Sequence, residues 1–359
     1  MTSLIRRLRV PLVSVGLALV ATWLLLVVVD APPIDALWQI WNGSVGRLAK
    51  IPDTLIAWVP LTLAAAGLIV TFQAGMWNIG VEGQIVMGAI GAALVVREVS
   101  GPAPLVITLA FVVGAAFGVL WALIPGFLRT RFGVHEIFSG VALVFVASAI
   151  AVYLIIGPWS RTGVASTSGT DPFDERFWLP TVGGDDYSWL AVLVALMAVV
   201  FVAVLMRGTR YGLRLKAVGK NSNSAFVMGI PTNVYMLSAF AICGAMAGIA
   251  GTIQALGFHH KLVPSISGGY GFLAILVVLL AGFRTLWTAP IAFFFAAMLV
   301  GSTQLSLRLG IDSSLSGVIQ GMLVLLILVV GGWQARRSRV VAQRVEAAAA
   351  TAITSPEGG

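Results

Sequence analysis

The chain has 359 residues, of which 59% are apolar and only 10% are charged. Its mean hydropathy is +0.99, whereas soluble domains are about 45–50% apolar and about 25% charged. Water could not solvate such a surface, so the composition excludes a soluble enzyme. Since one membrane crossing takes about 20 residues, we predict an all-α integral membrane protein with about ten transmembrane helices.

Ten apolar runs alternate with short polar connections along the chain. The first run is too long for the apolar core of a signal peptide and lacks a small-residue cleavage motif, so we expect it to be retained as a span. The predicted organisation is a cytoplasmic N-terminus (1–11), one transmembrane domain (12–332) and a cytoplasmic, disordered tail (333–359). The predicted spans are 12–29, 55–74, 84–97, 104–128, 137–157, 187–206, 234–257, 269–283, 287–306 and 315–332.

The net charge of +8 indicates orientation, because connections rich in Lys and Arg stay in the cytoplasm. With both termini inside, the inner segments hold 15 of the 22 basic residues, and the outer connections hold 22 − 15 = 7. The longest connection, residues 158–186, has five acidic residues against two arginines, as expected of an outer face. We therefore predict an N-in, C-in topology. The inner basic residues are Arg6, Arg7, Arg9, Arg129, Arg131, Arg207, Arg210, Arg214, Lys216, Lys220, Arg284, Arg336, Arg337, Arg339 and Arg344.

A glycine-rich and polar stretch near residues 72–84 interrupts the apolar pattern. The span that follows, 84–97, has only 14 residues, fewer than the roughly 20 of a full crossing. Irregular backbone survives at membrane depth only where protein or a watery cavity satisfies its polar groups, and interrupted spans are typical of transport paths. The alternative is an ordinary cytoplasmic turn. We favour a broken or re-entrant segment lining a path, with these substrate-path candidates: Phe72, Trp77, Asn78, Glu82 and Gln84.

The sequence offers no pattern for catalysis or metal binding. The pair His259-His260 is expected at a hydrated interface rather than on a metal, and Cys243 is the single cysteine, so neither a disulfide framework nor a cysteine metal site is expected. The one Gly-Lys pair, Gly219-Lys220, lacks the spacing of a phosphate-binding loop. We therefore predict no enzyme activity, no cofactor and no ATPase site in this chain. If ATP drives this protein, another polypeptide binds it.

The inner connection at residues 207–233 has more pattern than a charged topology anchor needs, although an anchor is the alternative. Asn221 can cap a short helix that contains small and apolar residues and stops at Gly229-Ile230-Pro231. A short surface helix with an apolar knob suits docking into a groove on a partner.

Three motifs follow one another between about Leu55 and Gly332. They occupy residues 77–84 (WNIGVEGQ), 212–230, and 267–272 (SGGYGF), with a small-residue face for close helix packing at 245–251. In this order they resemble the membrane subunit, or permease, of bacterial ABC importers. The similarity is to the branch of ribose-type and branched-chain amino-acid permeases, and most of all to nucleoside permeases.

The resemblance implies a set of partners in a bacterial plasma membrane. Two permease subunits, this chain and a paralogue, would stand over two ATPase subunits, which use ATP and Mg²⁺, and an extracytoplasmic lipoprotein would deliver the substrate. It also implies that the connection 207–233 is the coupling loop that meets the ATPase. The coupling candidates are Gly212, Ala217, Gly219, Asn221, Ala225 and Gly229.

The side chains near the interrupted span favour a neutral polar solute. Phe72 and Trp77 offer stacking faces, Asn78 and Gln84 offer hydrogen bonds, and no buried Lys or Arg is expected within a predicted span to bind an anion. Nucleosides and ribose-type sugars both fit these groups. An ion-coupled secondary transporter would need a carboxylate within a span, for which Glu82 is the one candidate, and a membrane enzyme or scaffold has no supporting motif.

Overall fold

The computed structural model describes residues 32–163, 167–181 and 188–309, with isolated positions at 20, 23, 317, 318, 321, 322, 325 and 329. The chain divides into a compact unit at Gln39–Thr303 and a second unit made of Met1–Trp38 and Gln304–Gly359. Most described residues belong to the unit Gln39–Thr303. The predicted spans 12–29 and 315–332 lie almost wholly outside the described residues, and so do both predicted cytoplasmic ends.

The described ranges are helical and contain no strand. A π-helical stretch, Gln254–His259, continues the helix Thr232–Ile253, and short 3₁₀ turns lie at Leu48–Lys50 and Glu175–Phe177. The α-helices are α1 (Pro33–Ser44), α2 (Ile51–Gln73), α3 (Val81–Glu98), α4 (Ala103–Phe132), α5 (Glu136–Ile156), α6 (Trp189–Gly208), α7 (Arg210–Lys220), α8 (Ser222–Val227), α9 (Thr232–Ile253), α10 (Tyr270–Leu280) and α11 (Thr285–Leu309).

Within these ranges, six helical stretches are long and apolar enough to cross a membrane. The prediction of an all-α membrane protein is therefore confirmed, while the count of ten spans and the orientation of the chain stay predictions. The six stretches are Leu48–Gln73, Ala103–Phe132, Glu136–Ile156, Trp189–Gly208, Thr232–His259 and Thr285–Gln304.

Two predicted spans differ from the helices observed. The span predicted at 84–97 begins earlier, at Val81, and has 18 residues, so Glu82 and Gln84 lie in its first turn. The span predicted at 269–283 contains only the 11 residues of α10. Eleven residues rise about 16 Å, roughly half of the hydrocarbon core of about 30 Å. Apolar composition predicted a crossing there, but the glycines before Tyr270 hold the preceding chain in an irregular path.

Helix α9 is the centre of the unit and packs against α2, α3 and α4. Glycines bring these backbones into direct contact. A Cβ on Gly88 of α3 would overlap the backbone of Gly248 in α9, and a Cβ on Gly248 would in turn overlap the carbonyl oxygen of Gly114 in α4. Gly251 lies in the same way against the carbonyl oxygen of Ile85. The predicted small-residue face of this helix is confirmed, and it permits the close approach typical of membrane helices.

The outer connection predicted at 158–186 is tied to the chain that follows α9. The Thr170 amide donates to the Leu262 carbonyl at 2.9 Å, and the Phe173 amide donates to the His260 carbonyl at 2.7 Å. The Trp178 ring stacks on the His260 ring with centroids 3.9 Å apart, and burial lowers the pKa of His260. This histidine, expected in a hydrated pair, is therefore partly covered by Trp178.

The glycine contacts of α9 yield a stability prediction. Gly248→Ala should destabilise the protein by about 1–3 kcal/mol, since an added methyl in a packed core forces the backbones apart. The measurement is the thermal midpoint of the purified protein in detergent. Gly101→Ala is the control, because a Cβ there meets its nearest atoms at 3.7 and 4.0 Å. Equal midpoints for the two variants would show that the interface absorbs the extra methyl.

Candidate functional site

A non-helical stretch, residues 74–80, separates α2 from α3, and we call it the broken segment. Helix α2 is buried on all sides from Ala57 to Thr71, as expected of a helix that is apolar all round. It ends where Gly75 takes φ +76°, a left-handed conformation that glycine adopts without a steric cost. The predicted interruption near residues 72–84 is therefore present, and α3 resumes at Val81.

Asn78 and Gln84 form a reciprocal amide pair inside the protein. Asn78 Nδ2 donates to Gln84 Oε1 at 3.1 Å, and Gln84 Nε2 donates to Asn78 Oδ1 at 2.9 Å. Asn78 Nδ2 also donates to Cys243 Sγ on α9 at 3.2 Å. Both amides are buried. These hydrogen bonds hold the broken segment to α3 and α9. They use much of the hydrogen-bonding capacity of the two side-chain amides in this conformation.

The Glu82 carboxylate caps the N-terminus of the half-length helix α10. Its Oε1 accepts a hydrogen bond from the Gly269 amide at 3.0 Å, and its Oε2 accepts one from the Gly271 amide at 2.7 Å. The Ser267 side chain also interacts with it, and Glu82 is only 5% exposed. A carboxylate at the start of a helix is favourable, because the free amides and the helix dipole are positive there.

Glycines make this contact possible. Gly268 and Gly269 have φ of +56° and +76°, which bends the chain so that its amides face the carboxylate. A Cβ on Gly271 would come within 2.7 Å of the Glu82 backbone. The predicted motifs at 77–84 and 267–272 are thus two halves of one structure. Sequence reasoning found each motif separately and missed that they bind each other.

Phe72 and Trp77 lie in an aromatic cluster at the end of α2. Their ring centroids are 4.9 Å apart, and Phe283 packs on Phe72 at 5.9 Å. Trp77 is 42% exposed, so its ring is reachable. Sequence reasoning missed Phe283, for which the signal was the Ala281-Gly282 turn just before it, with Gly282 at φ +57°.

Glu136 is a second residue that sequence reasoning missed. Its Oε1 accepts a hydrogen bond from the Trp77 amide at 3.2 Å, and its Oε2 pairs with Arg129 Nε at 3.3 Å. The carboxylate is buried although it begins a helix. It holds the broken segment to the connection between α4 and α5.

The predicted coupling loop forms the two helices α7 and α8. The Asn221 side chain accepts a hydrogen bond from the Ser224 amide at 3.0 Å, so the predicted cap is confirmed, and Gly229 ends this helix at φ +79°. Gly212 lies against the Leu205 carbonyl at the end of α6, and its amide donates a hydrogen bond to the Thr209 hydroxyl oxygen.

Two of the coupling candidates face this chain itself. Ala225 is fully buried, whereas Phe226, Val227 and Met228 are 68%, 85% and 68% exposed. Gly219 touches the end of α2, where a Cβ would overlap the Gln73 carbonyl oxygen. The half-buried Ala217 lies one turn ahead of Asn221 on α7. The exposed apolar surface at the end of α8 is therefore formed by the three residues after Ala225.

The chain is similar in sequence to several known permeases. The chain is 30% identical over 328 residues to the glucose ABC transporter permease protein TsgB13 of Haloferax volcanii, covering 89% of this chain and 86% of the relative. It is 29% identical to the guanosine ABC transporter permease protein NupP of Bacillus subtilis, covering 91% and 94%. With the nucleoside ABC transporter permease protein NupB of Lactococcus lactis the identity is 25%, covering 83% of each.

A family match covers most of the unit described above. Residues 51–328 match the family described as branched-chain amino acid transport system, permease component. This range contains α2, the broken segment, α3, the coupling helices and α10. The chain belongs to this family of ABC transporter permeases, the multi-pass membrane subunits that carry the transport path while a partner subunit supplies the ATPase.

Proposed function

We propose that this permease subunit imports a neutral polar solute, with a nucleoside as the first candidate and a sugar as the second. The relatives above are named for guanosine, nucleosides and glucose. The observation that carries the proposal is the Glu82 carboxylate on the N-terminus of α10. A helix start inside a transporter commonly attracts an anionic group, but here the protein's own anion occupies it. An anionic solute would be repelled at this point.

The distribution of basic residues supports a neutral solute as well. In the described helices that could span a membrane, Lys and Arg lie in end turns, as Arg129, Arg131 and Arg207 do. No such residue is available at mid-span to neutralise a phosphate or carboxylate. The rings of Phe72, Trp77 and Phe283 instead offer faces for a nucleobase or the apolar face of a sugar.

The ATPase would act through α8 and α7. The exposed residues Phe226, Val227 and Met228 form an apolar knob suited to a groove on the ATPase. Behind it, Gly219 of α7 touches the backbone at Gln73 and Gly75 with no side chain between them. A displacement of these helices on ATP binding and hydrolysis would thus reach the broken segment directly and switch the path between outward and inward access.

The remaining subunits follow from the family. A second, paralogous permease is suggested by the pairs NupP with NupQ in Bacillus subtilis and TsgB13 with TsgC13 in Haloferax volcanii. An extracytoplasmic binding lipoprotein would deliver the solute, and ATP with Mg²⁺ would bind to the ATPase. We place the complex in a bacterial plasma membrane, with one transmembrane domain at 12–332 and a cytoplasmic segment at 333–359.

The proposed topology has ten spans with both termini in the cytoplasm. Hydrogen bonds between the 170–179 and 256–262 stretches support one shared side for these connections. The test is labelling of Ser168→Cys and Ser338→Cys on intact cells with an impermeant maleimide, since the native Cys243 is buried. We expect Ser168→Cys to be labelled at once and Ser338→Cys only after permeabilisation. The reverse pattern would invert the topology.

Uptake of labelled guanosine and glucose, in cells carrying the whole transporter with and without this gene, tests the function itself. In this assay Glu82→Gln should reach the membrane in normal amounts but lose most of its uptake. The glutamine side chain would place its NH₂ donor against one of the two backbone amide donors, Gly269 or Gly271. It would also lack the negative charge that strengthens both hydrogen bonds.

The matched control is Glu98→Gln, the same change at an exposed position at the other end of α3. It should transport as the unaltered protein does. Wild-type uptake by Glu82→Gln would show that the carboxylate has no part in transport. Loss of the Glu82→Gln protein from the membrane would mean that the residue serves folding instead.

The coupling surface can be tested by co-purification of the ATPase. Phe226→Asp places a charge on the exposed knob and should lower recovery of the ATPase at least tenfold, because truncated or charged anchor residues commonly cost 2 kcal/mol or about thirtyfold in affinity. The control is Val134→Asp, an exposed apolar residue in the α4–α5 connection. Undiminished ATPase recovery with Phe226→Asp would place the interface elsewhere and reopen the ion-coupled alternative.

A further inference from the structure

Gln254 is a buried polar residue that none of the predicted motifs contains. It begins the π-helical stretch Gln254–His259 at the end of α9, and only 1% of it is exposed. A π-helical turn widens the helix and disturbs its regular hydrogen bonding, and such turns occur frequently at functional sites.

The side-chain amide of Gln254 is poorly satisfied. Among the described residues, neither its Oε1 nor its Nε2 has a partner at full hydrogen-bond geometry. The Tyr270 hydroxyl interacts with this side chain but does not complete its bonding. A buried polar group without a partner costs about 1–3 kcal/mol. The contrast with the mutually bonded amides of Asn78 and Gln84 is therefore informative.

Gln254 lies next to the elements that form the candidate site. Tyr270, which faces it, is the first residue of α10, and the next residue, Gly271, is bound by Glu82. One turn earlier on α9, Gly251 packs on the carbonyl oxygen of Ile85 in the first turns of α3. The amide thus stands where α9, α3 and the half-length helix α10 meet.

A small cavity adjoins Gln254. It is walled mainly by apolar side chains of α2, α6 and α9, such as Leu55, Val192 and Ile253, and has a volume of about 20 Å³. Its other polar side chain, Ser188, already donates its hydroxyl to the Pro180 carbonyl at 2.7 Å. A cavity of this size holds about one water molecule, so a nucleoside or sugar can enter only after these helices separate.

We propose that Gln254 is a specificity-determining residue whose amide hydrogen-bonds the neutral solute when the path opens. This inference rests on the proposed function and adds a residue to it. One amide offers a donor and an acceptor without charge, which matches a sugar hydroxyl or the edge of a nucleobase. Because the amide is unsatisfied when the site is closed and satisfied when solute is bound, its interaction favours the occupied state.

The test is the kinetics of uptake by Gln254→Met, which keeps the length of the side chain and removes its donor and acceptor. For whichever of labelled guanosine or glucose the wild-type transporter takes up, we expect KM to rise at least tenfold with a smaller change in the maximal rate. The thermal midpoint should be equal to that of the wild type or higher, because an unsatisfied amide has been removed.

The control is Thr62→Val, which removes a different buried polar group, a hydroxyl that has no hydrogen-bond partner among the described residues. It should leave KM unchanged. An unchanged KM in Gln254→Met, or its loss from the membrane while Thr62→Val is retained, would overturn the role of Gln254 alone. Failure of the wild type to take up either probe would overturn the proposed function, and the role of Gln254 with it.

Discussion

The bonds from Glu82 to the amides of Gly269 and Gly271 allow two interrupted helices to exist side by side within an apolar protein. Backbone amides that leave a helix inside a bilayer must find partners, because no water is available to them. Here the Glu82 carboxylate accepts hydrogen bonds from the backbone amides at the start of α10. Glu82 itself lies in the first turn of α3, directly after the broken segment. A charge that would be costly alone is paired with donors.

Two kinds of contact hold the helices of this unit together. Helices α3, α4 and α9 meet at glycines such as Gly88, Gly114 and Gly248, whose backbones are in contact. Such close contact leaves these helices little room to shift relative to one another. The broken segment is held differently, by the individual side chains of Asn78 and Glu136. In the alternating access proposed above, these individual bonds would be exchanged while the glycine interface stays intact.

Polar groups in this core differ in how well they are satisfied, and the difference has a functional meaning. The side-chain amides of Asn78 and Gln84 donate hydrogen bonds to each other. Among the described residues, Gln254 has no partner at full hydrogen-bond geometry, and the solute binding proposed above would supply one.

Much of this could be predicted from the sequence. Composition alone determined a helical membrane protein, the glycines and polar residues near 72–84 located the break, and Asn221 marked the start of α8. These features are local, since they depend on hydropathy, on the torsional freedom of glycine and on a side chain capping its own helix. Family resemblance further indicated the importance of the motif at 267–272.

What only the tertiary structure decided is which of these local features meet. Glu82 and Gly271 are 189 residues apart in the chain, so nothing in either motif states that one caps the other. Apolar composition could not separate the half-length helix α10 from a full crossing. The burial of Ala225 and the exposure of Phe226 beside it also depend on how α8 packs on its neighbours. The sequence by itself determined the helices and their interruptions, whereas the partners of each polar group were decided by packing, because a buried group's partner is whatever folding places within hydrogen-bond distance.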